Sequence, residues 1–189
     1  SAPVKSAPPR PAPRPGALPR YKTQQPFDLS KEVAGALATS QSLAPAGKPV
    51  ALYLWSGDTR PFEAAVRATR QAGVRNLNGG DSRLDAKYPS IAYVPPISRM
   101  AGGERQIYSV NSNEFTYTND WKGPFDTFSQ LTQTLERTER PRRLKGFNVY
   151  YHMYSGEKAQ SLAAVKGHLE LARASPVTPI TAASASAVG

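Results

Sequence analysis

The sequence predicts an α/β fold with a mainly parallel sheet, because strand-like apolar runs alternate with helical patterns along the chain. Residues 50–55 form a near-continuous apolar run, which is typical of a strand buried on both faces. Residues 61–71 then have a helical pattern, and residues 74–77 return to a short strand. This order is a βαβ unit whose two polar loops follow the strands at the same edge of a parallel sheet.

The elements before this unit are a linker and a helix. Residues 1–20 contain seven prolines, four basic residues and no acid, so we predict a disordered, Pro-rich linker over residues 1–25. Asp28 is a suitable N-terminal cap for a helix that extends to about Leu43. We predict one α/β domain over residues 26–182 and a disordered Ala/Ser tail over residues 183–189.

The elements after this unit continue the alternation of strands and helices. They are strands at 91–94, 106–110 and 147–151, a polar and aromatic loop at 111–121, a helix that begins at 123–124 and is ended by Pro141, a last helix and a short strand at 178–181. The strand at 147–151 ends at His152. The apolar stripe of the last helix, formed by Leu162, Val165, Leu169 and Ala172, predicts that His168 lies on the surface.

Composition limits the possible partners. The formal net charge of +10 is compatible with nucleic acid, another anionic polymer or an anionic membrane surface. The densest basic run, residues 137–145, is typical of a solvated helix end and loop. The chain has no cysteine, no signal-peptide pattern and no apolar run of about 18 residues, so we predict no thiolate zinc site and no membrane span.

Polar and aromatic residues follow the predicted strands and would gather at one end of the sheet. These candidate site residues are Asp58, Arg60, Asp81, Asp120, Trp121, Tyr151, His152 and Tyr154. An aspartate that binds a histidine fixes its tautomer, and such a histidine can act as a general acid. Tyrosine and tryptophan faces suit sugar rings. For each residue taken alone, an ordinary turn or core role is the simpler interpretation.

Motifs for other chemistries are absent from the sequence. There is no Gly-x-Ser-x-Gly nucleophile elbow, and no glycine-rich phosphate loop follows a strand. His152 and His168 are sixteen residues apart, so a self-contained zinc site is not predicted.

Four segments, in the same order, resemble the polysaccharide deacetylase portion of PelA-type exopolysaccharide proteins, which are related to the NodB-like carbohydrate esterases. The resemblance covers most of residues 26–180, and its segments are 54–61 (LWSGDTRP), 76–81 (NLNGGD), 117–125 (YTNDWKGPF) and 148–156 (NVYYHMYSG). It implies a distorted β/α barrel that removes N-acetyl groups from an amino-sugar polysaccharide with a bound divalent metal. It also implies a periplasmic or secreted location and an upstream glycoside hydrolase domain.

The resemblance also assigns roles to individual residues. Arg60-Pro61 resembles the pair whose arginine orients the catalytic aspartate, and Asp81 resembles the acid that tunes the catalytic histidine. His152 resembles the histidine that ends a strand and acts as the acid. Ser82 stands where the family has a tryptophan, and Trp121 is a candidate replacement as a wall of the site.

The motifs that supply the base and the metal ligands have no counterpart before Asp28. We therefore expect the second half of a deacetylase domain, an incomplete barrel with no metal ligands of its own. A complete family member would hold a zinc-like divalent metal, and without it we expect the isolated chain to be inactive or very weak. An incomplete barrel also leaves the strand at residues 50–55 with an unpaired edge, which predicts self-association.

Two alternatives remain open at this point. The first is a binding module that holds a polysaccharide without chemistry, through Tyr117, Trp121, Tyr151 and Tyr154, with Asp58 and Asp120 beside them. The second is a basic domain that binds an anionic polymer. Nucleic acid is not the expected partner, because no basic tract of the sequence is interleaved with aromatic residues.

Overall fold

The computed structural model describes residues 27–57, 59–108, 111–118 and 128–189. The predicted linker at residues 1–25 lies outside this part of the chain. Helices and short strands are mixed along the described residues, which bury two separate clusters of apolar side chains. None of the described helices is long and apolar enough to cross a bilayer.

The first helix begins at Asp28, as predicted. The Asp28 Oδ1 atom accepts hydrogen bonds from the backbone N–H groups of Ser30 at 2.9 Å and Lys31 at 3.3 Å. A π-helical turn at Lys31–Gly35 continues into helix α1 at Ala36–Leu43. Val33 is the buried residue of this turn, and it anchors the helix to the domain.

The predicted βαβ unit is confirmed. Strand β1 (Leu52–Leu54) pairs in parallel with strand β2 (Arg75–Leu77), and helix α2 (Glu63–Gln71) connects them. The helix buries Ala65 and Val66 against Trp55 and Ala101 in one of the two apolar clusters. No second strand pairs with β1 among the described residues, and self-association through this edge stays a prediction.

The next two strands are antiparallel, which the sequence pattern did not predict. Strand β3 (Ser98–Ala101) and strand β4 (Glu104–Ile107) form a hairpin around Gly102. The strand predicted at residues 91–94 is wrong, because Ile91–Tyr93 is a 3₁₀ turn that the Ser90 side chain caps. Neither two-stranded sheet closes within the described residues, so the barrel stays a prediction.

Helices dominate the rest of the chain. Helix α3 (Glu114–Thr118) precedes a 3₁₀ turn at Phe128–Gln130, helix α4 (Leu131–Arg137) and helix α5 (Ala159–Ala174). Their contacts form the second apolar cluster, whose buried members are Tyr117, Phe128, Leu131, Leu135, Ala164 and Val165. This cluster supports the segment that carries His152, because Phe147 and Val149 pack against it.

The predicted strand at residues 147–151 is wrong. Residues 146–152 are extended but join no sheet in the described part of the chain. The Asn111 Nδ2 atom donates to the carbonyl oxygens of Gly146 at 3.3 Å and Asn148 at 3.1 Å. A side-chain amide therefore replaces the backbone partners that a neighbouring strand would supply.

Of the four residues predicted to form the apolar face of helix α5, only Val165 is buried. The buried residues are Ser161, Ala164, Val165 and His168, whereas Leu162 and Leu169 are 37% and 44% exposed. The buried face carries small side chains, which leave room for the His168 ring against the 3₁₀ turn at Phe128–Gln130. His168 is therefore a core residue and not the surface residue that we predicted.

The strand predicted at residues 178–181 is wrong, because these residues form no strand, and the segment predicted as a disordered tail contains a helix. Helix α6 spans Ala182–Val188, and the Thr181 hydroxyl caps it by accepting from the Ser184 N–H at 3.0 Å. The Ser186 hydroxyl donates to the Asn76 carbonyl at 2.8 Å. This long-range hydrogen bond holds helix α6 against strand β2, although the Ala/Ser sequence of the helix has no strong apolar pattern.

Candidate functional site

His152 and Glu114 form a hydrogen-bonded pair. The His152 Nδ1 atom lies 2.8 Å from the Glu114 Oε1 atom, and the His152 backbone N–H donates to the same oxygen at 2.8 Å. The Glu114 side chain is 2% exposed, whereas 40% of the His152 side chain is exposed. A buried carboxylate thus fixes both the backbone and the ring of a histidine that solvent can reach.

The local sequence explains where Glu114 stands. The Asn113 Oδ1 atom accepts from the backbone N–H groups of Phe115 at 3.0 Å and Thr116 at 3.3 Å, which caps helix α3. Glu114 is the first residue of that helix, where a negative charge is favourable. The extended segment at residues 146–152 runs beside it and brings His152 to the carboxylate.

This contact determines the protonation pattern of the imidazole. A carboxylate oxygen accepts a hydrogen bond, so Nδ1 is the nitrogen that carries the proton in the neutral ring. The Nε2 atom then presents its lone pair, and it has no hydrogen-bond partner among the described residues. Histidines that act as general acids or bases have this arrangement, with one nitrogen held and the other open.

Two tyrosines pack on the imidazole. The Tyr154 ring stacks on His152 with an interplanar angle of 6° and a centroid distance of 5.1 Å, and the Tyr150 ring is tilted at 5.3 Å. Burial raises the pKa of Tyr154 above 10, and the charge and hydrogen bond of Glu114 raise it further. Tyr154 therefore stays a neutral phenol at physiological pH. Tyr151 is 40% exposed and forms no ring contact with the described residues.

Several buried oxygen atoms in the segments that carry Glu114 and His152 have no hydrogen-bond partner in the described part of the chain. They are Glu114 Oε2, Asn111 Oδ1, Asn148 Oδ1 and Ser155 Oγ. All four belong to the two segments that meet at His152. Buried polar atoms without a partner are costly, so these four atoms destabilise the two segments unless a further donor reaches them.

Asp81 does not contact His152; its neighbour is Lys145. Loss of hydration raises the pKa of the Asp81 carboxyl, although its side chain is exposed, and the positive charge of Lys145 opposes that rise. Lys145 is 4% exposed, and burial lowers its pKa to about 8, against the opposing effect of Asp81. The carboxylate that orients His152 is therefore that of Glu114 and not that of Asp81.

The loops after β1 and β2 do meet, as the βαβ unit predicts. The Gln106 Nε2 atom donates to the carbonyl oxygens of Thr59 at 2.8 Å and Asn78 at 2.7 Å. The Asn78 side chain in turn donates to the Trp55 carbonyl at 2.6 Å. Arg60 lies in this region but is exposed and makes no hydrogen bond or ion pair with the described residues.

The remaining predicted site residues fall into two groups. Tyr117 is 1% exposed, packs against Phe128 and lies 4.4 Å from the Arg83 guanidinium carbon, so we leave it out of the proposed site. Asp58, Asp120 and Trp121 lie outside the described residues. Of the residues predicted from the sequence, His152 and Tyr154 are in contact, and Tyr151 is the chain neighbour of His152. The structure shows two further contacts of His152, with Glu114 and with Tyr150.

Sequence reasoning did not select Glu114. The sequence contains an Asn-Glu pair within the polar loop, where a helix can begin. Such a pair is also found at ordinary helix starts, so it does not identify Glu114 as a functional residue. The long-range contact with His152 gives this acid its importance, and nothing in the local pattern indicates that contact.

The described residues do not fit the divalent metal that the family resemblance implies. No three His, Cys, Asp or Glu side chains lie together in the described ranges in a way that could hold a metal ion. We therefore derive no step of the chemistry through a metal. Comparisons with family models, curated proteins and solved structures found no significant match. The chemistry of the site must accordingly be argued from the residues themselves.

Proposed function

We propose that this chain is a polysaccharide deacetylase-like domain that acts on an amino-sugar polymer, with His152 and Glu114 as the acid side of its site. The observation that carries the proposal is the 2.8 Å contact between His152 Nδ1 and Glu114 Oε1, which leaves Nε2 open to a ligand. The four-segment resemblance supports the choice of substrate, and it also motivates a periplasmic or secreted location.

The role of the pair is proton transfer. When an amide C–N bond of an N-acetyl group breaks, the departing amine needs a proton, and a protonated imidazole held by a carboxylate can supply it. General acid catalysis of this kind contributes about 10²–10⁴-fold in rate. The described residues do not supply the activated water that deacetylation also needs, so we expect very little turnover from the isolated chain.

The direct test is acetate release from N-acetylated hexosamine oligomers, with and without added zinc. We expect release close to the uncatalysed rate for the wild-type chain. Robust turnover that is lost in His152→Ala would show a complete enzyme, and the proposed incompleteness would then be wrong.

Ligand contact is tested separately, by NMR of the two histidine rings. Addition of the oligomers should shift the imidazole signals of His152 and leave those of His168 unchanged, because His168 is buried at 2% exposure. If neither ring responds at millimolar oligomer, the site does not bind this class of polymer and the proposed function fails.

A second candidate is a carbohydrate-binding module without chemistry. The specific observation in its favour is the stack of Tyr154 on His152, because Tyr154 remains 40% exposed and offers an aromatic face beside polar groups. Binding of the oligomers that survives His152→Ala but is lost in Tyr154→Ala would favour the module. Tyr93→Ala is the matched control, since Tyr93 is an exposed tyrosine of the 3₁₀ turn at Ile91–Tyr93.

A further inference from the structure

Residues 137–145 form a strongly basic segment at the end of helix α4, here called the basic segment, in which Arg137, Arg140 and Arg142 are exposed and Lys145 is buried. It contains Arg137, Arg140, Arg142, Arg143 and Lys145, and its only acid is Glu139. The Glu139 carboxylate lies 3.3 Å from the Arg143 guanidinium, so this acid is already paired within the segment.

The segment has a defined conformation. The Leu144 N–H donates to the Thr138 carbonyl at 2.8 Å, and the Thr138 hydroxyl donates to the Thr134 carbonyl at 2.7 Å. The Arg143 guanidinium also donates to the Leu135 carbonyl at 3.5 Å and lies 5.5 Å from the centre of the Phe147 ring. Arg143 therefore serves the fold, and the backbone that carries the other cations is held in place.

Three arginines of the basic segment remain available. Arg137, Arg140 and Arg142 are exposed and make no hydrogen bond or ion pair with the described residues. Helix α4 ends at Arg137, so only that side chain is placed to offset the negative end of the helix dipole. Arg140 and Arg142 lie beyond the helix, and the fold gives no structural reason for their charges.

We infer that the basic segment binds uronate carboxylates of a polysaccharide that also carries the N-acetylated amino sugars of the proposed function, and so holds this polymer next to His152. The planar guanidinium matches a carboxylate with two parallel hydrogen bonds. Arg142 precedes His152 by ten residues, which span at most about 33–36 Å of extended chain, so a single polymer can reach both. The choice of a polysaccharide rests on the proposed function.

Nucleic acid fits the basic segment less well. Proteins that bind single strands stack bases on aromatic side chains beside the cations, and residues 137–145 include no aromatic residue. The Phe147 ring, which lies 5.5 Å from the Arg143 guanidinium, packs against the second apolar cluster. We therefore expect weaker binding to DNA than to a uronate polymer.

The test measures binding of the full chain to polygalacturonate at about 50 mM and about 300 mM salt, between which the screening length falls about 2.4-fold and binding should weaken. The variant Arg137→Gln/Arg140→Gln/Arg142→Gln should bind roughly tenfold more weakly at the lower salt, as expected for three exposed charge contacts. The control Lys48→Gln/Lys166→Gln/Arg173→Gln removes the same charge from three other exposed positions and should bind within about twofold of the wild type.

Equal losses in the two triple variants would mean that net charge alone drives binding, and the inference would be overturned. Tighter binding to duplex DNA than to polygalacturonate, with the same dependence on the three arginines, would also overturn it. If polygalacturonate binding requires the arginines while neutral oligomers leave the His152 signals unchanged, this inference stands and the proposed function fails.

Discussion

The Oε1 atom of Glu114 lies 2.8 Å from both the backbone nitrogen and the ring Nδ1 atom of His152. One buried oxygen therefore fixes the position of the histidine along the chain and the rotation of its ring. The carboxylate is 38 residues away in sequence, so the pair also ties helix α3 to the segment at residues 146–152.

We predict that the two histidines have opposite tautomers. Glu114 accepts from His152, which places the proton on Nδ1, whereas the Phe128 carbonyl lies 2.8 Å from His168 Nε2 and can only accept, which places that proton on Nε2. Imidazole ¹⁵N shifts, recorded in solution basic enough to deprotonate both rings, distinguish the two forms.

The variant Glu114→Ala should remove the Nδ1–H preference of His152 and leave His168 unchanged. It should also lower the free energy of unfolding by about 1–3 kcal/mol, because the His152 backbone N–H loses its acceptor. A wild-type His152 that already carries its proton on Nε2 would contradict the assigned contact.

We predict that Gly80→Ala is strongly destabilising. Gly80 has φ +67°, and an added Cβ would lie 2.2 Å from an atom of the Tyr108 ring. The left-handed backbone and the clash together should cost about 2 kcal/mol or more, measured by urea unfolding. Gly167→Ala is the control, because Gly167 lies in helix α5 with no atom near its added Cβ, and there alanine should stabilise by about 0.5–1 kcal/mol. Equal effects at the two positions would contradict the described loop.

We predict that the stability of the protein rises with pH above about 8 because of Lys145. Burial lowers the folded-state pKa of Lys145 to about 8, whereas the unfolded chain keeps the ordinary value of 10.5. Between these values the unfolded state binds a proton that the folded state has lost, so stability increases as pH rises.

The variant Lys145→Met should lack that increase and should be more stable at pH 7 by about 1 kcal/mol, since it removes a buried charge whose hydrogen bond to the Pro96 carbonyl is long, at 3.4 Å. Unfolding free energies from pH 7 to pH 10 test both statements. An identical rise with pH in the variant and the wild type would show that Lys145 is not responsible.

We predict that Glu104 stabilises the fold until the solution becomes strongly acidic. Hydrogen bonds and charge from Arg70, followed by those from Arg67, lower the pKa of Glu104 from 4.5 to about 2 despite the opposing effect of burial. Its contribution is therefore complete above pH 4.5 and is lost as the pH falls from 4.5 through about 2.

The variant Glu104→Gln should be less stable than the wild type at pH 7, and this difference should shrink as the pH approaches about 2. Thermal unfolding midpoints across that range are the measurement. Glu136→Gln is the control, because Glu136 is exposed and makes no ion pair with the described residues. A difference between wild type and Glu104→Gln that does not change with pH would contradict the ion-pair assignment.

The first part of the fold could be predicted because its signals are local. Asp28 caps its helix through the next three residues, and Gly73 reverses the chain with φ +73° between α2 and β2. Helix α2 follows the apolar run of β1 and leads into β2, and a helical crossover of this kind joins two parallel strands. Each of these features depends on residues close together in the sequence.

The later part could not be predicted because polar side chains displace the backbone pairings that the pattern indicates. Asn111 takes the carbonyls of Gly146 and Asn148, so residues 147–151 stay extended without joining a sheet. His168 is buried because Thr132 and the Phe128 carbonyl lie at its two ring nitrogens, at 3.3 Å and 2.8 Å. Hydrophobic periodicity gives no information about such partners.

The sequence by itself determined the βαβ unit, the capped first helix and the choice of His152 as a candidate acid. Only the tertiary structure decided that Glu114 orients His152, that Asp81 faces Lys145, and that Tyr154 covers the imidazole. The physical reason is range. Helix caps and periodicity act within a few residues, whereas a carboxylate reaches its histidine only after the two apolar clusters have packed and brought distant segments together.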